Sequence, residues 1–271
     1  MPELPEVETT RRGIEPHLLN HSLSGAVVRQ SRLRWPVPRG LSQKISQQNI
    51  LAVERRGKYI LIRLEQGTIM LHLGMSGSLR MLSSDTPPQK HDHVDLQLDN
   101  GQCLRLRDPR RFGSLHWINE DPLQHKLLKD LGPEPLSTDF DSDYLFSKSR
   151  KRKLAIKLFI MDSKIVVGVG NIYASEALFR AGIRPTRAAG RVSRAEYLRL
   201  VQAIKDVLQA AIQSGGTTLQ DFTNSEGKPG YFQQQLHVYG RADEPCHQCQ
   251  TPIKHRVMGQ RASYYCPQCQ H

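Results

Sequence analysis

The chain has 271 residues, of which 38% are hydrophobic, so it can form two domains of ordinary size with buried cores. It contains neither a run of about 18 apolar residues nor an apolar signal segment, which excludes a predicted transmembrane helix and predicts a cytoplasmic protein. The net charge of +12 favours a polyanionic partner, most often nucleic acid, although charge that serves only solubility is the alternative.

The first predicted element is a helix over residues 4–18, where apolar residues recur at helical spacing. Removal of Met1 would make Pro2 the N-terminus, with a secondary amine whose intrinsic pKa is roughly 7.7–8.0. Such an amine can attack electrophilic carbon and form a Schiff base. The carboxylate of Glu3 could then move the protons. The simpler interpretation is that these residues only begin the helix.

Short alternating strands follow as far as residue 118. We predict eight of them, over residues 26–30, 50–56, 58–65, 68–73, 78–82, 93–98, 102–107 and 114–118. The segments 65–68 and 99–102 are predicted hairpin turns, the second with the strong Asn-Gly signal. This arrangement favours an antiparallel sandwich or barrel.

A connector rich in acids and proline occupies residues 119–150, and we place a domain boundary near residue 135. Helical periodicity then predicts helices over residues 151–162, 172–181 and 194–213. Ser193 and Glu196 have the spacing of a capping box for the last helix. The polar, glycine-containing stretch 216–230 is a predicted loop.

Four of the five cysteines form two CxxC pairs separated by sixteen residues, at Cys246, Cys249, Cys266 and Cys269. Two thiolate pairs at this spacing fit one tetrahedral Zn²⁺ with every position filled, which indicates a structural metal. An iron–sulfur cluster and two disulfides are the alternatives. The residues between the pairs suit a β-hairpin, whose tip at 258–261 would carry Arg261. From spacing alone, this arginine could equally be one more basic surface residue.

Basic residues cluster at 55–58, around Asp108, and at 148–153, which together favour binding to a nucleic-acid backbone. The segment 168–173 places glycines before a helix, an arrangement suited to phosphate binding and typical of a helix–turn–helix hairpin. Two loops, at 73–77 and 110–113, carry Met75 and Phe112 beside glycines. Large apolar side chains of this kind can fill the space left by an extruded base, although both could also be ordinary hydrophobes buried under a loop.

Taken together, these segments resemble the bacterial formamidopyrimidine-DNA glycosylase family. The motifs that carry the resemblance occur in the family's order along nearly the whole chain: PELPEVE (2–8), HLGMSGSLR (72–80), KHDHVDL (90–96), DPRRFG (108–113), LGPEPL (131–136), VVGVGNIYASE (166–176), GGTTLQDF (215–222), SEGKPGYF (225–232) and the paired CxxC motifs.

The resemblance implies an α+β fold, with an N-terminal antiparallel β-sandwich flanked by helices and a C-terminal helical domain with a helix–two-turn–helix and a zinc ribbon. We expect domains at 1–135, 136–235 and 236–271. The implied function is base-excision repair of duplex DNA by a monomeric, zinc-containing, bifunctional glycosylase and lyase. Such an enzyme removes oxidised purines, chiefly 8-oxoguanine and formamidopyrimidines, and then cleaves the abasic site by β,δ-elimination.

The resemblance also implies catalytic roles for four residues. Pro2 would attack C1′ of the damaged nucleotide, and Glu3 would protonate the opening sugar ring. Lys58 would contact phosphate near the lesion and assist proton transfer. Arg261 would grip the lesion's phosphates and aid the later elimination.

Further residues match DNA-binding positions of the family. Met75, Arg110 and Phe112 would fill the void, and Arg110 would also hydrogen-bond the orphaned cytosine because arginine only donates. DNA contacts are also expected from His91, Arg152 and Asn171, and a further phosphate or lesion contact from Lys157.

Two rival functions remain open on the sequence. The sister glycosylase, endonuclease eight, uses the same proline chemistry on oxidised pyrimidines. From a different class, the chain could be a non-catalytic zinc-ribbon protein that only recognises bent or damaged duplex DNA.

Overall fold

A computed structural model describes residues 2–216 and 236–271. Most of the predicted loop 216–230 and the whole 225–232 motif therefore lie outside the described residues. The helices are α1 (Leu4–Leu18), α2 (Leu41–Ile45), α3 (Ser142–Ser149), α4 (Ile156–Met161), α5 (Asn171–Ala181) and α6 (Arg194–Gln213), with 3₁₀ turns at Pro122–Gln124 and Ala189–Arg191. The strands are β1 (Ser22–Val28), β2 (Gln48–Arg56), β3 (Tyr59–Leu64), β4 (Gly67–His72), β5 (Ser78–Ser83), β6 (Asp92–Leu98), β7 (Gln102–Arg107), β8 (Ser114–Ile118), β9 (Lys254–Met258) and β10 (Arg261–Tyr265).

The chain divides into two compact units. The first contains residues 2–129 and, among the described residues, 214–216; the second contains 130–213 and 236–271. A boundary at residue 130 lies close to the expected one near 135. The three-part division of the chain stays a prediction, because residues 217–235 are not described.

The first unit is built on eight antiparallel strands in the order β5-β7-β6-β1-β2-β3-β4-β8. Only two residue pairs join β1 to β2, whereas β3 and β4 share six. The sheet therefore bends between β1 and β2 into two four-stranded halves. One buried cluster contains apolar residues from both halves and from α1, which is the core of a sandwich. The expected N-terminal antiparallel β-sandwich is confirmed.

The second unit packs helices α3 to α6 with the β9–β10 hairpin. The predicted capping box of α6 is present: Ser193 N–H donates to Glu196 Oε2 at 2.8 Å, and Glu196 N–H donates to Ser193 Oγ at 3.3 Å. The helix α5 ends at Gly182, which adopts φ 72°, a left-handed conformation that terminates a helix.

All eight strands of the first unit were predicted, but the prediction of the second helix was wrong at its start. The expected helix over 151–162 is α4, which begins only at Ile156. Residues 152–156 bond in an extended manner to 187–190, through Ile156 N–H to Arg187 O at 2.7 Å and Ala189 N–H to Leu154 O at 2.8 Å. The short helices α2 and α3 were not predicted. In the described part of the chain, no helix is both long and apolar enough to cross a membrane.

Candidate active site

The N-terminal helix α1 begins at a buried, acidic turn. Glu3 is 3% exposed and Glu6 is fully buried. Glu6 Oε2 accepts a hydrogen bond from Glu3 N–H at 2.7 Å, which completes a capping box with Pro5 in the first turn. A Cβ on Gly216 would lie 3.2 Å from Glu6 Oε1, so the backbone at 216 closes against this turn. Pro2, also buried, thus lies beside two carboxylates that water reaches poorly.

A carboxylate on α1 fixes the helix to the sheet. Glu8 accepts from Arg11 and Arg12 of its own helix and from Arg55 Nε of β2 at 3.0 Å. Burial raises the pKa of Glu8, but the bonds from these three guanidinium groups outweigh burial, and its pKa lies below the ordinary value. Glu8 therefore remains ionised and holds α1 against β2.

Lys58 lies in the two-residue turn between β2 and β3, where Gly57 adopts φ 57° and Arg56 pairs with Tyr59. Burial and then the positive charge of Lys58 lower the pKa of His72 to about 4. His72 is therefore neutral at pH 7. Its Nδ1 accepts a hydrogen bond from Gly74 N–H at 3.0 Å, so the ring proton sits on Nε2. His72 therefore lies close enough to Lys58 to feel its charge and is bonded to Gly74, at the start of the loop that carries Met75.

The loops that carry the predicted void-filling residues run side by side. Loop 73–77 joins β4 to β5 and loop 108–113 joins β7 to β8, so both cross between the halves of the sandwich. A Cβ on Gly74 would lie 2.3 Å from the Phe112 carbonyl carbon, which shows how closely the backbones approach.

The void-filling candidates project outward from these loops. Met75 is 38% and Phe112 44% exposed, and Arg110 Cζ lies 5.0 Å from the centroid of the Phe112 ring. Exposure of these two large apolar side chains rules out the interpretation that they are core residues. His91 leads into β6 with φ 77°, and its carbonyl accepts from Asp108 N–H at 3.0 Å, so it flanks the second loop.

In the second unit, the four paired cysteines converge. All four Sγ atoms lie within 4.8 Å of one another. The Sγ atoms of Cys249 and Cys266 are 3.4 Å apart, and those of Cys246 and Cys269 are 3.9 Å apart. A tetrahedral site with Zn–S bonds of about 2.3 Å has S–S edges of about 3.8 Å. The thiol set therefore fits one zinc ion with no open position for substrate.

The β9–β10 hairpin turns through two residues of left-handed conformation, Gly259 at φ 52° and Gln260 at φ 61°. Met258 pairs with Arg261 across this turn, which is the geometry of a tight two-residue hairpin. Arg261 is exposed at its end. The expected ribbon with an arginine at its tip is what the chain forms.

Lys157, for which a phosphate or lesion contact is predicted, lies beneath the β9–β10 hairpin. Its side chain is fully buried, and its Nζ donates to Ala262 O at 3.0 Å and to Ser263 Oγ at 2.8 Å, both on β10. A buried ammonium needs such acceptors because its desolvation is costly. Asn171 converges on the same carbonyl, since its Nδ2 donates to Ala262 O at 3.0 Å. Lys157 therefore supports the strand that carries Arg261.

The basic run at 148–153 contains two kinds of arginine. Arg150 is half-buried. It stacks on Phe146 at 3.8 Å and donates to backbone carbonyls that include those of Gly190 and Val192, so its guanidinium is held within the protein. Arg152 is exposed and could contact a phosphate.

Glu176 was missed as a site residue by the sequence prediction. It is 2% exposed and accepts from the backbone N–H groups of His237, Val238 and Tyr239 at 2.9–3.0 Å. These bonds tie α5 to the segment that enters the zinc module. Its place in the NIYASE motif, five residues after Asn171, was the available signal.

Family models match along most of the chain. The formamidopyrimidine-DNA glycosylase N-terminal domain matches residues 1–115, its H2TH domain matches 131–223, and a zinc finger found in Fpg and IleRS matches 243–271. The chain belongs to the formamidopyrimidine-DNA glycosylase family. As a member it is a base-excision repair DNA glycosylase and abasic-site lyase with one structural zinc, and the non-catalytic alternative is wrong.

Full-length relatives agree with this assignment. The formamidopyrimidine-DNA glycosylase of Nitrosococcus oceani is 60% identical over 271 residues, which is all of both chains. Among solved structures, the MutM (Fpg) protein of Thermus thermophilus is 39% identical with a TM-score of 0.89, covering 99% of this chain and 98% of that one. The Lactococcus lactis Fpg in complex with DNA that contains an abasic site is 32% identical with a TM-score of 0.91 over all of both chains.

Proposed function

We propose that this glycosylase removes oxidised purines, chiefly 8-oxoguanine and formamidopyrimidines, from duplex DNA and then cleaves the abasic site by β,δ-elimination. The observation that carries the proposal is a buried carboxylate, Glu3, adjacent to the one residue that can present a secondary amine, Pro2. The L. lactis relative has been crystallised with abasic-site DNA and with Fapy-dG-containing DNA, which supports this substrate class.

The chemistry begins with the Pro2 amine. Its lone pair attacks C1′, the N-glycosidic bond breaks, and the damaged base leaves with a proton. Glu3 protonates O4′ as the sugar ring opens, which leaves an iminium between Pro2 and C1′. Loss of a 2′ proton then expels the 3′ phosphate, and a second elimination expels the 5′ phosphate. Water finally hydrolyses the iminium and frees the enzyme.

Other residues of the chain stabilise the phosphates that leave. Lys58, in the β2–β3 turn, is assigned to phosphate contact and to proton transfer during elimination. Arg261, exposed at the hairpin tip, is assigned to the lesion's phosphates. A guanidinium binds phosphate oxygens through two parallel N–H bonds, which suits this role. Zinc supplies the fixed geometry of the module that presents Arg261.

Opposite-strand recognition falls to the two adjacent loops. Met75 and Phe112 occupy the space left by the extruded nucleotide. Arg110 donates to the orphaned cytosine, and because it has no acceptor it discriminates against bases that present donors there. His91, Arg152 and Asn171 are assigned to DNA binding, and Lys157, which also supports β10, to a further phosphate or lesion contact.

Borohydride trapping with 8-oxoguanine opposite cytosine tests the proposal. The processed protein should become covalently attached to the oligonucleotide, and Pro2→Gly should trap more slowly because it offers only a primary amine. A preparation that retains Met1 is the matched control: its Pro2 nitrogen is an amide, so it should bind the duplex without being trapped. Faster cleavage of thymine glycol than of 8-oxoguanine would instead favour the specificity of endonuclease eight.

We also propose that the enzyme acts as a monomer in the cytoplasm, on the DNA of the nucleoid. Light scattering of the free protein checks the first point: a mass near 30.8 kDa is expected. A dimer mass at micromolar concentration would contradict it.

A further inference from the structure

A buried carboxylate links the two void-filling loops. Asp108 is fully buried at the start of the second loop. Its Oδ1 accepts from Ser76 Oγ of the first loop at 2.8 Å, and its Oδ2 accepts from Gly113 N–H, at the end of its own loop, at 2.7 Å. One carboxylate thereby closes the second loop on itself and fastens it to the first.

The same residue is held through its main chain. Asp108 N–H donates to His91 O at 3.0 Å, and Asp108 O accepts from His93 Nε2 at 2.8 Å. Since a carbonyl only accepts, His93 carries its proton on Nε2. Residues 91–93, at the start of β6, are therefore fixed to the same point as both loops.

Ser76 also binds the main chain of Arg110, the residue proposed to contact the orphaned cytosine. Its Oγ donates to Asp108 and also accepts from Arg110 N–H at 3.2 Å. The main chain that carries Arg110 is thus bound to the loop that carries Met75. A hydroxyl can make both bonds at once because it donates one proton and accepts on its lone pairs.

The charge balance at Asp108 is unusual for a residue beside three arginines. Arg107, Arg110 and Arg111 are its neighbours in sequence. Among the residues that the structure describes, the partners of its carboxylate are the Ser76 hydroxyl and the Gly113 N–H rather than a guanidinium. Arg107 pairs with Asp92 Oδ1 at 3.8 Å and donates to Gln89 Oε1 at 2.9 Å, whereas Arg110 and Arg111 are exposed. Asp108 therefore sets the shape of the loops without neutralising these exposed arginines.

We propose that Asp108 and Ser76 are positioning residues that hold Met75, Arg110 and Phe112 as one rigid insertion unit. This inference rests on the proposed function, because it assumes that these three side chains enter the void left by the everted base. Void filling requires several groups at fixed mutual distances, and two independent loops would lose much of their contact to conformational freedom.

The test compares two serines that are equally buried, at 4% exposure each. Ser76→Ala removes the bridge, whereas Ser78→Ala removes a hydroxyl that takes no part in it. Each variant is assayed for kcat and KM on duplexes with 8-oxoguanine opposite cytosine or adenine. Each is also assayed on a preformed abasic site in single-stranded DNA, which has no base to extrude and no orphaned partner.

For Ser76→Ala we expect kcat on the cytosine duplex to fall about tenfold, the size of effect that one or two lost buried hydrogen bonds produce. Its preference for cytosine over adenine should shrink as well. Cleavage of the single-stranded abasic site should stay within about twofold of the wild type, because that reaction needs only the Pro2 chemistry. Ser78→Ala should match the wild type on every substrate.

Asp108→Asn provides a rescue, since its amide keeps the size and an acceptor for Gly113 N–H and can donate to Ser76. It should retain more duplex activity than Asp108→Ala. Equal losses on duplex and single-stranded substrates, or no loss in Ser76→Ala, would overturn the inference. If Asp108→Ala does not fold, the serine pair and Asp108→Asn still decide. Failure of the wild type itself on 8-oxoguanine would instead refute the proposed function.

Discussion

At the scale of single residues, one side chain can serve the fold and the chemistry together. Glu3 belongs to the capping box that begins α1, and it is also the buried acid beside Pro2. The structure is therefore compatible with both interpretations of the N-terminal sequence, a helix start and an active site. The proposal of a catalytic role rests on distant residues that no local pattern contains.

Glu3→Gln separates the two roles, because glutamine keeps a carbonyl acceptor for the helix but cannot donate an acidic proton. We expect excision of 8-oxoguanine to fall by at least about 100-fold, the usual contribution of a general acid. Thermal stability should change little. Single-turnover kinetics on the lesion duplex measure the effect. Full activity in this variant would remove Glu3 from the acid role.

Residue identity alone did not separate binding cations from structural ones. Lys157 and Arg152 are equally basic in sequence, yet the first is buried under β10 and the second is exposed. Burial of a cation depends on which carbonyls the fold brings to it. The role of Asp108 could not be predicted from the sequence for the same reason. Its partner Ser76 lies in a different loop, which only the topology of the sandwich brings close.

At the scale of elements, sequence periodicity predicted the strands and long helices, whose local pattern agrees with their tertiary packing. The eight strands of the sandwich alternate in the sequence, and all but the first were predicted nearly to their ends; β1, predicted over 26–30, lies at Ser22–Val28. The helix α2 has five residues and α3 has eight, too short to show a period among polar neighbours. Residues 152–156 were predicted to be helical but pair with 187–190 instead.

The close approach of loops 73–77 and 108–113 predicts the effect of Gly74→Ala. A Cβ there would lie 2.3 Å from the Phe112 carbonyl carbon, on a backbone already at φ 65°. We expect a stability loss of at least about 2 kcal/mol and strongly reduced lesion excision.

Gly101→Ala is the matched control, since Gly101 has φ 77° but open space around its Cβ position. It should cost about 1 kcal/mol of backbone strain and leave excision intact. Urea unfolding and lesion kinetics report both quantities. Equal effects of the two substitutions would show that the loops can separate without harm.

The capping box of α6 predicts a pH dependence of stability. Burial raises the pKa of Glu196, but hydrogen bonds from Arg187 and Ser193 outweigh burial and bring it to about 2. Because the folded pKa is lower than the ordinary 4.5, the ionised carboxylate stabilises the fold above about pH 4.5. This contribution is lost as the pH falls toward 2.

Glu196→Gln should therefore lower the free energy of unfolding by about 1–2 kcal/mol at pH 7. The difference from the wild type should shrink between pH 4.5 and 2. Denaturant titrations at several pH values measure it, with the exposed Glu120→Gln as control. A difference that stays constant down to pH 3 would contradict the assignment.

The zinc module predicts a coupled loss of metal and activity. Cys249→Ser removes one of four converging ligands, so zinc and the ordered β9–β10 hairpin should be lost together. Cleavage of lesion DNA should fall because Arg261 is then no longer held. Cys103→Ala, at the buried cysteine outside the cluster, should retain one zinc per chain by atomic absorption. Retention of full activity by zinc-free Cys249→Ser would refute this role of the module.

At the scale of the whole molecule, charge and topology answer different questions. The net charge of +12 correctly indicated a polyanionic partner for a DNA glycosylase, but it could not show which cations face that partner. The fold makes that distinction within each unit, by burying some basic groups against carbonyls and leaving others exposed. Binding affinity should therefore depend on only part of the total charge.

The basic run at 148–153 tests this directly, because its arginines differ in environment and not in charge. Arg152→Gln should weaken binding to damaged and undamaged duplexes alike and reduce the slope of log K against log salt by about 0.9, the value for one lost phosphate contact. Its stability should be unchanged, since its side chain is exposed. Arg150→Gln should instead lower stability by about 2 kcal/mol, because it leaves buried carbonyls such as Val192 O without their donor. Fluorescence anisotropy from 50 to 300 mM salt measures DNA binding by both variants, and thermal unfolding measures their stability. An unchanged salt slope for Arg152→Gln would show that Arg152 does not contact the DNA.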